Sequence, residues 1–226
     1  HKKSIENHFG PIEELEIALE EAGKLKELEE IRKINEIANI EFILQEEQKG
    51  LGHAILCAEK FVSNDSFAVL LGDTICTGVP NCTKGLVEIF RERQASVFSV
   101  EKVKPEETRR YGIVSGREVE DKIMLVDDLI EKPDPTKAPS LLGIQGRYVF
   151  TPDLFKYLNK TEKGAGGEIQ LTDAMQLLAK SQDIFSWTFE GKRYDIGTMQ
   201  DWFQSHLELS IKSEYSSVLE SVIKKL

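Results

Sequence analysis

Asp73 closes the run FAVLLGD, so a strand over the preceding residues would deliver a carboxylate to its own carboxyl end. Ligands of open α/β sheets gather at that edge. Mg²⁺ takes one or two carboxylates together with phosphate oxygens and water, which makes Asp73 a candidate metal ligand. A Gly-Asp pair is equally a turn signal, and the spacing alone leaves both readings open. Further on, EKP sets Glu131 and Lys132 side by side. Strand alternation sends such neighbours to opposite faces unless a turn at Pro133 swings them together. Lys132 is then either a compact cation for a phosphate or a surface lysine. KGLGHA puts Gly50 and Gly52 in a strand-to-helix loop, where glycine serves the turn or lets backbone approach a flat base closely. It falls short of GxGxxG and is a weak signal alone. His53 beside it is more often a helix-start or packing residue than a general base and is left out of the catalytic candidates. GAGGEIQLTDA offers a flexible loop, Glu168 at a helix start where an acid suits the dipole, and the polar Gln170 and Thr172.

These residues need elements to hold them. KKSIENHF reads as the end of a helix. Ile12, Leu15, Leu19, Ala22, Leu25, Leu28, Ile31 and Ile34 recur at steps of three and four, one helix face, with Gly23 dividing the stretch into two helices. IEFILQ reads as a strand, the segment through Ala54, Cys57, Ala58 and Phe61 as a helix, and FAVLLGD as a strand buried on both faces. That order implies a right-handed βαβ crossover. A helix over 84–93, the strand ASVFSVEKV, short strands and turns from Tyr111 to Phe150, and helices at Pro152–Asn159 and Glu168–Ser181 follow. The strand IFSWTFEG and helical sequence from Met199 to Leu226 complete the pattern. The expected class is α/β, a Rossmann-like and mostly parallel sheet flanked by helices, in a single domain over 1–226 with a helical arm at 199–226.

The chain has 226 residues and carries 29 basic against 39 acidic side chains, a net charge of −10. An acidic balance argues against a broad grip on a nucleic acid polymer, so any phosphate must be gripped locally. No apolar run approaches the roughly 18 residues needed to cross a bilayer, and HKKSIENHFG lacks the apolar segment of a signal peptide, so a cytoplasmic protein with no membrane partner is expected. Cys57, Cys76 and Cys82 form no CxxC pair and suit free thiols.

Taken in series, QEEQKGLGHAILCAEKF, FAVLLGD, YGIV, IEKPDPTKAPSLLGIQGRYVF, KTEKGAGGEIQLTDAM and GKRYDIGT resemble the UTP glucose-1-phosphate uridylyltransferase family of sugar nucleotidyltransferases, in the family's order across nearly the whole chain. The resemblance implies the nucleotide-diphospho-sugar transferase fold and Mg²⁺-dependent attack of glucose 1-phosphate on the α-phosphorus of UTP, giving UDP-glucose and pyrophosphate. It implies that Gln45 and Gly50 read the uracil and that Asp73 holds Mg²⁺, with Asp195 of YDIGT as a second carboxylate. Gly112 and Glu131 would meet the sugar, Lys132 its phosphate, and Gly146 and Arg147 would shape the sugar side. Glu168, Gln170, Thr172 and Asp173 fit a sugar-side or dimer-side structural role. The family's opening GxGTRxxP and downstream Lys, which cradle the triphosphate, do not precede His1, so the N-terminal strand-loop unit is expected to be absent from this sequence. The apolar Trp202, Phe203, Leu207, Leu209, Ile211, Val218, Leu219, Val222 and Ile223 point to a homodimer or homotetramer built partly through the last helices.

Overall fold

A computed structural model describes residues 3–9 and 13–225. They fall into two units divided between Glu46 and Glu47. The first contains α1 (Lys3–Phe9), α2 (Glu13–Glu21) and α3 (Leu25–Glu36). Gly23, at φ 69°, makes the expected break between α2 and α3. Arg32 Nε donates to Glu16 Oε2 at 2.8 Å between the two helices, and Leu28 is buried. IEFILQ, expected as a strand, has no ladder here, and Ile40, Phe42, Ile43 and Leu44 are exposed. A strand exists only where a neighbour completes its hydrogen bonds. Among the described residues nothing completes these, and the expected βαβ crossover is not formed.

The second unit holds α4 (Leu51–Cys57), α5 (Glu59–Val62), β1 (Phe67–Leu70), β2 (Thr74–Thr77), α6 (Cys82–Arg93) and β3 (Val97–Lys102). Three nine-residue strands follow, β4 (Gly112–Glu120), β5 (Ile123–Glu131) and β6 (Leu142–Phe150), then α7 (Asp153–Leu158), α8 (Leu171–Ala179), β7 (Phe185–Thr188), β8 (Lys192–Asp195), α9 (Met199–Ile211) and α10 (Ser216–Ile223). Asn81 caps α6 by accepting from the Thr83 and Lys84 amides, and Thr198 caps α9 by accepting from Asp201.

The main sheet runs β1-β6-β3-β7-β5-β4, with β4 also touching β6. The α/β class stands, with helices on both faces. The pairing inside the sheet is not the parallel one expected: only β3 and β7 pair parallel, and every other neighbouring pair is antiparallel. The physical reason is interleaving. β1, β3, β4 and β7 share one direction, but the reversed β5 and β6 lie between them. β1 is also not buried on both faces as its apolar run suggested; it lies at the edge of this sheet and leaves Leu70 half exposed.

One core lies under α4, α7 and α8, with Phe98, Val114, Phe150, Leu154 and Met175 at its centre. The other lies under α6, with Leu86, Val97 and Phe185. A separate two-stranded ribbon, β2 with β8, sets Thr74 opposite Asp195. Among the described residues the three cysteines are unpaired, and no helix is long and apolar enough to cross a membrane.

Candidate active site

A cleft of about 600 Å³ opens in the second unit where the ends of β1, β5 and β8 meet. Asp73, Gly112, Glu131, Lys132, Gly146 and Asp195, all singled out by the sequence, line it. Asp73 lies in the turn that its Gly-Asp pair signalled. Leu71 O accepts the Thr74 amide at 3.4 Å, so Gly72 and Asp73 are the central residues of a turn, and the turn faces the cleft.

The ribbon brings the second carboxylate to the first. Asp73 O accepts from Ile196 N at 2.8 Å, which locks the two chain segments together. Between the carboxylates lies Gly197: a Cβ there would stand 3.2 Å from Asp195 Oδ1 and 3.6 Å from Asp73 Oδ2. The other oxygen of Asp195 is committed to the protein. Oδ2 accepts from the Tyr111 hydroxyl at 2.9 Å and from the guanidiniums of Arg110 at 3.1 Å and Arg193 at 3.2 Å. Burial would raise the Asp195 pKa, but the Gly197 amide, the Tyr111 hydroxyl and the two guanidiniums outweigh it and hold the carboxyl below its usual range. Asp195 is therefore an oriented anion, with Oδ1 accepting from the Gly197 amide at 3.0 Å. Two carboxylate oxygens flanking a gap that one methyl group would fill suit a small hard cation that completes its shell with phosphate and water oxygens. Among the described residues no three His, Cys, Asp or Glu side chains form a fuller cage.

The acid and base of EKP are swung together, but not by Pro133. Lys132 takes φ 47°, left-handed and uncommon for a residue with a side chain, and its amide donates to Tyr111 O at 3.1 Å. That backbone turns Lys132 to the same side as Glu131: Nζ stands 3.6 Å from Glu131 Oε1, with Lys132 56% and Glu131 19% exposed. Strained backbone at a cleft carrying charged side chains is a mark of function. Glu131 Oε2 accepts from the buried Thr172 hydroxyl at 2.6 Å. Gly112 pairs with Glu131 in register, and a Cβ there would lie 2.7 Å from Thr172 Oγ1, so the glycine leaves room for this pair.

Gly146, at φ 78°, sits beneath Leu71. Arg147, expected at the sugar side, directs its guanidinium to the carbonyls of Leu71, Gly146 and Thr74. Gly50, at φ 90°, lies one residue outside the cleft lining, which begins with Leu51, and a Cβ there would meet Glu168. Gln45 belongs to the first unit and is half-buried there. Glu168, Gln170 and Thr172 line the cleft.

Sequence reasoning passed over Arg109, Arg110, Tyr111, Arg193 and Gly197. Two of these carried a signal: Arg193 stands two residues before Asp195 on one strand, hence on its face, and RRY directly precedes Gly112.

A profile of the nucleotidyl transferase family matches residues 5–211. A UTP–glucose-1-phosphate uridylyltransferase 2 of Staphylococcus saprophyticus is 43% identical over 227 aligned positions, spanning 100% of this chain and 78% of its own length. Among solved structures, a UDP-glucose pyrophosphorylase complexed with UDP-glucose superposes with a TM-score of 0.84 at 35% identity, over 94% of this chain and 78% of that one. A UTP-bound UGPase from Acinetobacter baumannii gives a TM-score of 0.87 at 31% identity, over 99% and 79%.

Proposed function

The chain belongs to the nucleotidyl transferase family, and from that premise we infer that it transfers a uridylyl group from UTP to glucose 1-phosphate, forming UDP-glucose and releasing pyrophosphate. A phosphate oxygen of the sugar phosphate attacks the α-phosphorus in line. The new P–O bond forms as the bond from the α-phosphorus to the bridging oxygen breaks, and pyrophosphate carries away that electron pair. No proton shuttle is required, so the protein's task is to align two anions and offset their charge.

The observation that carries this reading is the convergence of Asp73 and Asp195 around Gly197 in one cleft with the Glu131–Lys132 pair. Asp73 and Asp195 hold Mg²⁺, which offsets charge on the reacting phosphates. Lys132 meets the phosphate of glucose 1-phosphate as a point charge. Glu131, oriented by Thr172, accepts hydroxyls of the sugar, and Gly112 and Gly146 give the sugar room. Gly50 serves the uracil. Arg110 and Arg193 hold Asp195 in place.

Met199, Trp202, Phe203, Val218, Val222 and Ile223 leave apolar surface exposed on α9 and α10. We assign this surface to a symmetric contact in a homodimer or homotetramer, because contiguous exposed apolar area marks an interface. The activity is tested by product formation from glucose 1-phosphate with UTP, dTTP and GTP in turn, with and without Mg²⁺. Mg²⁺-dependent UDP-glucose formation preferring UTP by at least tenfold is expected. Preference for another nucleotide, or binding without turnover in the intact protein, would overturn it.

A further inference from the structure

Arg147 lies on β6 with only 9% of its surface exposed, and among the described residues its guanidinium meets no carboxylate. Its donors go to backbone. Nη1 donates to Leu71 O at 3.1 Å and to Gly146 O at 2.9 Å, and Nη2 donates to Thr74 O. Leu71 and Thr74 are the first and last residues of the turn whose middle carries Asp73. One planar fork thus grips both ends of that turn and ties them to the strand behind it. A guanidinium stays charged under all ordinary conditions and is costly to bury unless its donors are used. Here two of the three donor contacts fix the path of the chain on either side of one carboxylate.

The tie works on the side of β6, whereas on the ribbon side Ile196 N donates to Asp73 O at 2.8 Å and Thr74 opens the β2–β8 ladder. Leu71 N donates to Gly146 O at 3.1 Å as the last bond of the β1–β6 pairing, and the bond across the turn itself is long at 3.4 Å. Gly72 at the turn's second position lends no stiffness. With a glycine and a weak closing bond, the β6 side of this turn depends on the clamp. The fork shape is also specific: an ammonium offers its three donors from a single point and cannot reach carbonyls this spread.

We infer that Arg147 is a positioning residue that sets the Asp73 carboxylate opposite Asp195, acting through the backbone of Leu71–Thr74 and not through contact with the sugar. The inference rests on the reading of Asp73 as a magnesium ligand.

The test compares Arg147→Met and Arg147→Lys with Asp73→Asn in the intact protein. Four quantities are measured: direct Mn²⁺ affinity by electron paramagnetic resonance without substrate, the Mg²⁺ concentration for half-maximal activity, KM for glucose 1-phosphate at saturating Mg²⁺, and hydrogen exchange of the amides from Leu71 to Thr77. Arg147→Met is expected to weaken Mn²⁺ binding and raise the Mg²⁺ requirement by about tenfold, to speed exchange in that segment, and to leave KM for the sugar phosphate within twofold. Arg147→Lys is expected to fall between, and it carries the test alone if the Met variant does not fold. A lower melting temperature with unchanged metal affinity and unchanged exchange in the turn would make Arg147 merely structural. A raised sugar-phosphate KM at saturating metal would return it to the sugar side. Either overturns the proposal. If Asp73→Asn leaves metal affinity unchanged while Arg147→Met still speeds exchange, the metal reading has failed and the clamp on the turn has not.

Discussion

Thr172→Val replaces a buried hydroxyl by a methyl of nearly the same size and removes the donor to Glu131 Oε2 at 2.6 Å. A hydrogen bond to a charged group contributes about 1.5–3 kcal/mol net. Most of this does not reappear as lost sugar affinity. The bond already exists without the sugar, so its loss falls first on the folded state, where about 1.5 kcal/mol in a chain of this size lowers Tm by roughly 3–6 °C. What binding loses is the ordering of Glu131. Holding one flexible side chain in a single rotamer costs about 0.5–1.5 kcal/mol, which corresponds to roughly 2- to 12-fold in affinity. The expected outcome is a KM for glucose 1-phosphate raised about fivefold, a KM for UTP within twofold, and a few degrees lost in a thermal melt. Thr172→Ser keeps the donor and stays near the parent in all three. The reasoning is refuted if the Val and Ser variants share the same sugar-phosphate KM, or if Val raises both KM values equally, because Thr172 would then act on the cleft as a whole.

Gly197→Ala places a methyl 3.2 Å from Asp195 Oδ1 and 3.6 Å from Asp73 Oδ2, where it should raise the Mg²⁺ requirement more than tenfold with Tm within about 2 °C; an unchanged Mg²⁺ titration would remove the metal from this gap. Arg110→Gln takes one guanidinium from Asp195, whose carboxyl lies below its ordinary value of 3.8. A lowered folded pKa contributes stability in full above that ordinary value and loses it as pH falls through the folded one. The variant should therefore unfold at higher pH on the acid side and match the parent's pH dependence near pH 7, and coincident acid melts would deny the coupling. The Cys76 thiol, in hydrogen-bond contact with Cys82, is lowered to about 7 against burial, so its alkylation by iodoacetamide should rise through a midpoint near pH 7. Cys82→Ala should shift that midpoint upward; no shift would exclude Cys82 as the cause. Ending the chain after Ser210 removes Val218, Val222 and Ile223, and light scattering should show a smaller assembly than the parent; equal masses would place the interface elsewhere.

The helices were legible because period 3.6 is a local property of the chain, whereas the stretch from Tyr111 to Phe150 read as short strands and turns and folds into three nine-residue strands. Gly23 ended a helix where a residue tolerant of positive φ was needed. Sheet order was not legible. FAVLLGD read as a strand covered on both sides, yet apolarity does not say which neighbours arrive, and β1 takes an edge beside a reversed β6. IEFILQ had the right residues for a strand, but a ladder needs a partner from elsewhere. At the cleft, Asp73, Glu131 and Lys132 could be read from strand ends. That Lys132 turns to the side of Glu131 through its own left-handed backbone could not, because nothing in EKP marks a non-glycine residue for positive φ. Arg147 was visible as a charge on a strand. Its target, two carbonyls at the ends of a turn some seventy residues earlier, is a property of the folded sheet alone.

An acidic chain that handles two phosphorylated substrates poses an electrostatic question, and the cleft answers it locally. Across the chain the net charge is −10. Around the cleft, Arg109, Arg110, Lys132 and Arg193 stand against Asp73, Glu131, Glu168 and Asp195, so the lining carries no net charge. Its sides differ. Asp195 is offset by two guanidiniums that also brace it, whereas among the described residues Lys132 is paired with Glu131 alone and is more than half exposed. A divalent cation between Asp73 and Asp195 would make that wall positive without any new side chain. Both walls would then attract phosphate, one through a metal and one through an ammonium, and the reacting oxygens would be drawn toward each other from opposite sides. The net acidity of the chain disfavours a polyanion elsewhere on average. A cleft neutral by composition would become positive on taking up a divalent cation, which would couple phosphate binding to metal binding.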